Sequence, residues 1–528
     1  MKIKTPAPAP SSKIKKSDHI FALKIKTESN GLGVLKTLLV IFLIALQAAV
    51  LVLSYMYLLS FFTWYFTFSI IMTLITAIYV LSSSYNGQAK ATWILFLLIS
   101  LGFGYIIYWM SDKRILLSKS KRKLKKINSK TTDLKPIFNP ELIENSKIRS
   151  TATYLKNASN SEIHKNTNLT YYSNGATQFD AILEDLKTAK EFVFIEYFII
   201  SNGILLNRFL NILKQKAQDG VDVRIIYDDM GSHGTLKSKT KKEITKAGIK
   251  LQPFNRLVPI FNIALNLRDH RKIVVIDGKI AYTGGTNLAD EYVNEKRMHG
   301  YWKDTGIKID GPAVDNFTID YLKQWSFLTG KDVDYSSYLN KATKHKNNSI
   351  VVPFVTGPHE PESVAENIYA QMIANSDEKL YIMTPYFIPT ETITKLIIAK
   401  AKAGVDVRLI LPDVADKKFV YTVSRNNAEK LIDAGVKFYT MKHSFVHSKI
   451  VLNENSAIVG SINIDLRSFN QQFESAVFTN DTTVLQNVFE DFKKTIEAST
   501  EITAKNRKSN HFANRLLAGI FNLVSPFM

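Results

Sequence analysis

Two stretches of this chain, about 180 residues apart, carry the same signals in the same order, and that repeat constrains the fold more than any other feature. The first opens on FVFIEYFII (Phe192–Ile200), a continuous apolar run of strand length, followed by Gly220-Val-Asp-Val-Arg224, Ala247-Gly-Ile-Lys250 and His270. The second opens on KLYIMTPYF (Lys379–Phe387), repeats the Gly-Val-Asp-Val-Arg string letter for letter at Gly404–Arg408, and continues to Ala434–Lys437 and His447. An interval this long is a whole domain and not a solenoid unit. Between the strands, Phe179–Lys190 and Leu205–Gln218 read as amphipathic helices, and strands alternating with helices predict an α/β fold with a largely parallel or mixed sheet covered on both faces. A duplicated α/β/α domain predicts pseudo-two-fold packing, each half giving one polar cluster to a shared cleft.

Those clusters are His270-x-Lys272 and His447-x-Lys449. On a strand alternate side chains share a face, so each imidazole and ammonium point the same way. In the first copy IVVI leads to Asp277-Gly278, a hairpin signal, and the return strand ends at Gly284-Gly285-Thr286-Asn287. In the second, IVLN leads to Glu454-Asn455, and the return strand ends at Gly460-Ser461-Ile462-Asn463. Two imidazoles and two ammonium groups brought together suit attack on a phosphodiester, with one histidine as nucleophile and the other as general acid. The lysines and asparagines would hold the phosphoryl oxygens where charge grows. Asp304 and Glu474 each follow an H-x-K motif by roughly thirty residues on expected strands, where a carboxylate bonding the far nitrogen of an imidazole would fix its tautomer.

The doubled H-x-K-x4-acid motif resembles the phospholipase D superfamily, and the resemblance extends over most of the chain to its bacterial cardiolipin synthases. It rests on HRKIVVIDGKI with GGxN, Asp290–Tyr292, Tyr301–Thr305, Gly311–Val314, Thr384–Pro389, Gly460–Phe469 and Ser525-Pro526. The resemblance implies His270, Lys272, Asp277, His447, Lys449 and Glu454 as the catalytic set, and Asn287, Asn463 and Glu474 as substrate-binding groups. It implies a reaction that joins two phosphatidylglycerols and releases glycerol, with no cofactor and no metal. Glu454 departs from the family's aspartate. An acid at a hairpin turn is also explained by turn geometry alone, which leaves the roles of Asp277 and Glu454 open between chemistry and structure.

The N-terminal region sets the location. From Thr37 to Ala89 there is no charged residue, and the runs at about 36–58, 61–82 and 92–110 are expected to be membrane segments. A removable signal peptide is not expected, because the apolar stretch is far too long for one. Before them lies a basic tail with the run PAPAPSS, over 1–33, expected to be disordered. After them come Lys113, Arg114, Lys119, Lys121, Arg122, Lys123, Lys125 and Lys126, the denser of the two basic flanks, which favours the cytoplasm against anionic lipid for that side; either one apolar run is then re-entrant or interfacial, or the basic tail is exported. The expected order is membrane segments within 34–112, a basic linker over 113–165, the two phospholipase D-like domains at 166–345 and 346–500, and a C-terminal amphipathic segment over 501–528. A net charge of +21 calls for an anionic partner. Phosphatidylglycerol and anionic membrane lipids fit it. With membrane segments present, nucleic acid is not expected. A hydrolase using water as acceptor, a nuclease and an inactive scaffold remain as rivals. The first would use the same residues. Between the two histidines, the tighter Asp-Gly turn favours His270 as nucleophile and His447 as acid.

Overall fold

The computed structural model describes residues 38, 41–53, 59–83, 87–100, 102–111, 118–131, 134, 138–256 and 267–507. The tail expected over 1–33 and the greater part of the segment expected over 501–528 lie outside them. The chain divides into two compact units, one of Met1–Ser83 with Phe96–Tyr105, the other of Ser84–Leu95 with Ile106–Met528.

In the first unit the uncharged stretch forms the helix Leu59–Leu81. Its portion Thr63–Leu81 is, among the described residues, the one helix long and apolar enough to cross a membrane. Nineteen residues at 1.5 Å each reach about the thickness of the hydrocarbon core. Its sidedness is reversed from that of a water-soluble helix: Trp64, Phe68, Leu74 and Ile78 are exposed, while Ser69, Thr73, Thr76 and Val80 are buried. Apolar side chains outward and small hydroxyls inward suit a surrounding of lipid tails. The first apolar run contributes the described helix Ile41–Leu53, which is shorter than a span. The third, expected as one segment over 92–110, is broken into the helices Gly87–Ile99 and Gly104–Ser111. Gly102 lies between them at φ 101°, a left-handed conformation that ends a helix, and its carbonyl accepts from the Tyr65 hydroxyl at 3.3 Å.

The second unit holds the duplication. Its first sheet runs Asn168–Tyr172, Gly306–Asp310, Ile280–Gly284, Lys272–Ile276, Phe192–Tyr197, Asp222–Asp228, Lys250–Phe254. Its second sheet repeats that order with Val351–Thr356, Gln472–Thr479, Ala457–Gly460, Ile450–Asn453, Lys379–Met383, Asp406–Pro412 and Lys437–Met441, then adds Ser499–Ile502. In both, the middle strand pairs parallel with the Asp-Val-Arg strand and antiparallel with the strand that follows H-x-K. The repeated string has a local cause. Gly220 and Gly404 follow helices ending at Gln218 and Lys402 and take φ 89° and 94°. The next aspartate then anchors a charge cluster, with Arg224 and Lys250 on Asp222 and Arg408 and Lys437 on Asp406.

Two short pairings stitch the halves together. Arg268–Asp269 of the first half runs parallel to Gln472–Phe473, and Ser444–Val446 of the second runs parallel to Tyr301–Lys303. One buried core draws on both, with Phe192, Ile273 and Phe317 beside Val351, Met383 and Val477. The region expected as a basic linker is partly helical. Ser118–Ser129 lays Ile127 inward, and Lys123 donates to the Phe327 carbonyl at 2.5 Å, while Ser146–Ser159 buries Ile148, Ala152 and Leu155 in the core of the second half.

Candidate active site

The two hairpins that carry the motifs close differently. In the first, Asp277 and Gly278 take φ 51° and 62°, the paired positive values of a type I′ turn, and Lys279 N donates to the Ile276 carbonyl at 3.0 Å. The second is one residue shorter between the acid and the glycine. There Asn453 does the turning: its side-chain oxygen accepts from Asn455 N at 3.0 Å and Ser456 N at 2.8 Å. Either way, the strand leads back to H-x-K at its opposite end.

The histidines are held by acids of the opposite half. His270 Nδ1 lies 2.9 Å from Glu474, and His447 Nδ1 lies 2.6 Å from Asp304. The backbone follows the same crossing, for His270 N donates to the Phe473 carbonyl at 2.8 Å and His447 N to the Lys303 carbonyl at 2.7 Å. Each imidazole is thus fixed by main chain and carboxylate of the other domain. With Nδ1–H turned to the acid, Nε2 carries the lone pair. Lys272 donates to the His270 carbonyl at 2.5 Å, and Lys449 donates to the His447 carbonyl. These six side chains come from both halves and are all buried.

Burial with so many charges sets unusual protonation. Desolvation, then the Lys272 and Lys449 charges, hold His270 well below the ordinary histidine value. Desolvation and Lys449 bring His447 down to about 4 against the pull of Asp304. Each histidine feels the lysine of the other half, as one common site requires. Burial lowers Lys272 to about 7 and Lys449 to about 8. Glu474 is raised by burial to about 8, although Lys272 and the hydroxyls of Ser461 and Ser468 oppose the rise. For Asp304 burial also works upward, but His447 and Lys449 outweigh it and the carboxyl stays below its usual range.

The remaining expected residues fall into two groups. Asn287 and Asn463 are buried past the ends of the return strands. Asn287 Oδ1 accepts from Ile199 N at 3.1 Å, while Asn463 Oδ1 has no partner among the described residues. Asp277 and Glu454 stand at the hairpin turns, away from the imidazoles. Asp277 accepts from the backbone of Lys190, Glu191 and Phe192 at 2.9, 2.8 and 2.9 Å. Glu454 accepts from Asp377, Glu378 and Lys379 at 3.0, 3.4 and 3.4 Å. Both tie a hairpin to the start of the middle strand. That is a structural use of the acid, and the longer glutamate reaches the same three amides from a shorter loop.

Sequence reasoning missed several neighbours. Ser461 and Ser468 donate to Glu474 at 2.5 and 2.8 Å. At the position matching Ser461 stands Gly285, where a Cβ would lie 2.1 Å from Asp304 Oδ1. The G-[GS] variation therefore follows the two acids. The ring of His447 is packed by Tyr292 and Trp302, each at 5.3 Å, and by Phe445 at 5.8 Å, whereas His270 has Phe198 at 5.0 Å.

This fold is similar to that of phosphatidylserine synthase from Haemophilus influenzae Rd KW20, at TM-score 0.57 and 15% identity, covering 72% of this chain and all of that one. The family described as cardiolipin synthase, PLD-like domain, matches residues 182–300 and 369–496, one match in each half. Cardiolipin synthase 2 of Bacillus anthracis is 36% identical over 359 residues, 67% of this chain and 70% of its own length. An uncharacterized protein of Streptococcus mutans is 35% identical over 466 residues, 86% of this chain and 99% of its own. The chain belongs to the phospholipase D-like cardiolipin synthase family, whose chemistry is phosphatidyl transfer.

Proposed function

We propose that this chain makes cardiolipin by moving a phosphatidyl group from one phosphatidylglycerol to another, with release of glycerol, through a phosphohistidine. The crossed pairing of each histidine with the acid of the opposite half carries the reading, because it makes the two H-x-K motifs one site. His270 Nε2 attacks the phosphorus, the bond to the glycerol oxygen breaks, and His447 gives that oxygen its proton. His447 then takes the proton of the second lipid's glycerol hydroxyl, whose oxygen attacks phosphorus as the P–N bond breaks. In the free enzyme burial, together with the lysine charges, keeps His447 neutral. An anionic phosphodiester between Lys272 and Lys449 offsets them and lets an imidazolium form beside Asp304.

In this reading Lys272, Lys449, Asn287 and Asn463 hold phosphoryl oxygens, and Glu474 and Asp304 orient the imidazoles. Asp277 and Glu454 shape the hairpins. No cofactor or metal enters any step. The apolar segments anchor the chain in the cell membrane, crossing it more than once, with the catalytic unit on the cytoplasmic side, and the cationic helix Ser118–Ser129 supports an anionic surface nearby. The test is purified protein in detergent with glycerol-labelled phosphatidylglycerol. Free glycerol and cardiolipin in equal amounts are expected, while phosphatidic acid in place of cardiolipin would make the enzyme a hydrolase. Acid quench and peptide mapping should find the phosphatidyl group on His270, and an adduct on His447 would reverse the two roles.

A further inference from the structure

Under the pseudo-two-fold relation, the residue two places before each histidine occupies one structural position: Arg268 faces Gln472 in register, and Phe445 faces Trp302. The fold therefore does not need a guanidinium there. Phe445 joins the aromatic packing on His447, yet Arg268 is buried to 1% exposure beside His270. Its nearest acceptors, Asp228 Oδ1 and the Asn255 carbonyl, stand 3.4 and 3.5 Å from Nη1, and Nε and Nη2 have no partner among the described residues. Asp228 is a poor counterion. Its oxygens already accept from Met230, Gly231 and Asp269 amides at 3.0, 2.8 and 3.0 Å, and burial raises it to about 6.

A second cation adds to the first. Arg467 of the other half lies close enough to work with desolvation in lowering Arg268, and it also depresses His270. With the Gln472 amide turned to donate to Ser468 and Glu474 at 3.2 and 3.0 Å, its oxygen accepts from Arg467 Nε at 3.2 Å. Gln472 thus sits between the two arginines. The residue matching Arg467 in the first half, four places after the asparagine, is Glu291. Both departures from the pseudo-symmetry put positive charge on the His270 side. Buried guanidinium N–H groups left without acceptors are costly, and a guanidinium fork fits two oxygens of a phosphate.

We propose that Arg268 and Arg467 form a second anion subsite, which holds the unreacted phosphodiester of the acceptor lipid. The inference rests on the cardiolipin-forming reading above. The product carries two phosphodiesters joined through one glycerol, and Lys272 and Lys449 provide for the reacting one alone. Water brings no such charge, so the subsite biases the phosphatidyl-enzyme toward the lipid acceptor and against hydrolysis or capture by neutral alcohols.

The experiment uses the full-length chain in detergent micelles with short-chain phosphatidylglycerol and labelled glycerol as a competing neutral acceptor. The ratio of cardiolipin to glycerol-exchanged lipid is measured for the wild type, Arg268→Met and Arg467→Gln, alongside thermal melting of each. Each variant is expected to lower that ratio at least about tenfold, as for loss of a charged hydrogen bond. Arg268→Met should melt no lower than wild type, because it removes a buried charge that lacks partners. An unchanged ratio, or losses of both products in proportion with a lower melting point, would make the arginines structural and overturn the subsite. Inorganic phosphate, at concentrations comparable to the lipid, lowering the ratio of cardiolipin to glycerol-exchanged lipid would assign the pair to a free anion and overturn it too. A wild type that forms no cardiolipin would fail the functional reading itself, a result distinct from variants that leave the ratio alone.

Discussion

In the proposed reaction few groups face the phosphorus, and each has a distinct expected signature. His270→Ala and His447→Ala should each lower turnover by at least about a thousandfold while the protein stays folded, read by product assay and circular dichroism. Near-normal activity in either would break the shared site. The pH profile follows from the lysines. Because burial places Lys272 at about 7 and Lys449 at about 8, raising the pH removes their charges, and kcat/KM should fall above about pH 7 to 8. In the complex the anionic phosphodiester favours the ammonium forms, so the alkaline fall in kcat should lie at higher pH. Coincident falls would mean that the lysines do not touch the phosphate. The histidines, lysines and asparagines were legible in the sequence because the motif occurs twice. Which acid serves which histidine was not, since Asp304 and Glu474 each follow a motif of their own half and serve the other. Arg268 and Arg467 were equally hidden. Only the burial and missing partners of Arg268, set against Phe445, single them out.

At the level of elements, the sequence anticipated hairpins, strands and most helices because alternation and turn chemistry are local. The middle strand expected over Phe192–Ile200 forms over Phe192–Tyr197, and the helix expected from Leu205 forms over Ile204–Gln218. Tertiary packing decided two features that local signals left open. Gly102, an interruption already visible in the third apolar run, divides it into two helices, and packing on the two domains makes helices in part of the region expected as a basic linker. The acids at the hairpin turns show how a motif residue can serve the element. Asp277 is buried with three backbone amides on its carboxylate, so Asp277→Ala should destabilise the fold by about 2–4 kcal/mol in denaturant titration. Turnover per folded molecule should change little. A loss of turnover without a loss of stability would restore Asp277 to the reaction. Glu454→Asp shortens the reach to the same amides and should weaken the second hairpin by about 1 kcal/mol, again with turnover retained.

On the scale of the whole chain, duplication has produced one catalytic body out of two halves that are each unfinished. A half alone would carry a histidine without its acid, an unpaired strand edge, and the exposed side of a core built from residues such as Phe317 and Val477. Apolar area of that kind supplies most of the free energy of association, and the crossed hydrogen bonds supply register. Neither residues 1–345 nor residues 346–528, expressed separately, should show activity, and each should be prone to aggregate. The covalent link between them is another matter. Thr343, Lys344 and Lys346 are exposed in the segment joining the sheets, and none of the contacts that position the histidines passes through it. An engineered protease site there should yield a nicked protein whose pieces co-elute and keep most of the turnover of the intact chain. Fragments that separate on nicking, with activity lost at the same rate, would show that the shared core and crossed pairs cannot hold the site without the peptide bond.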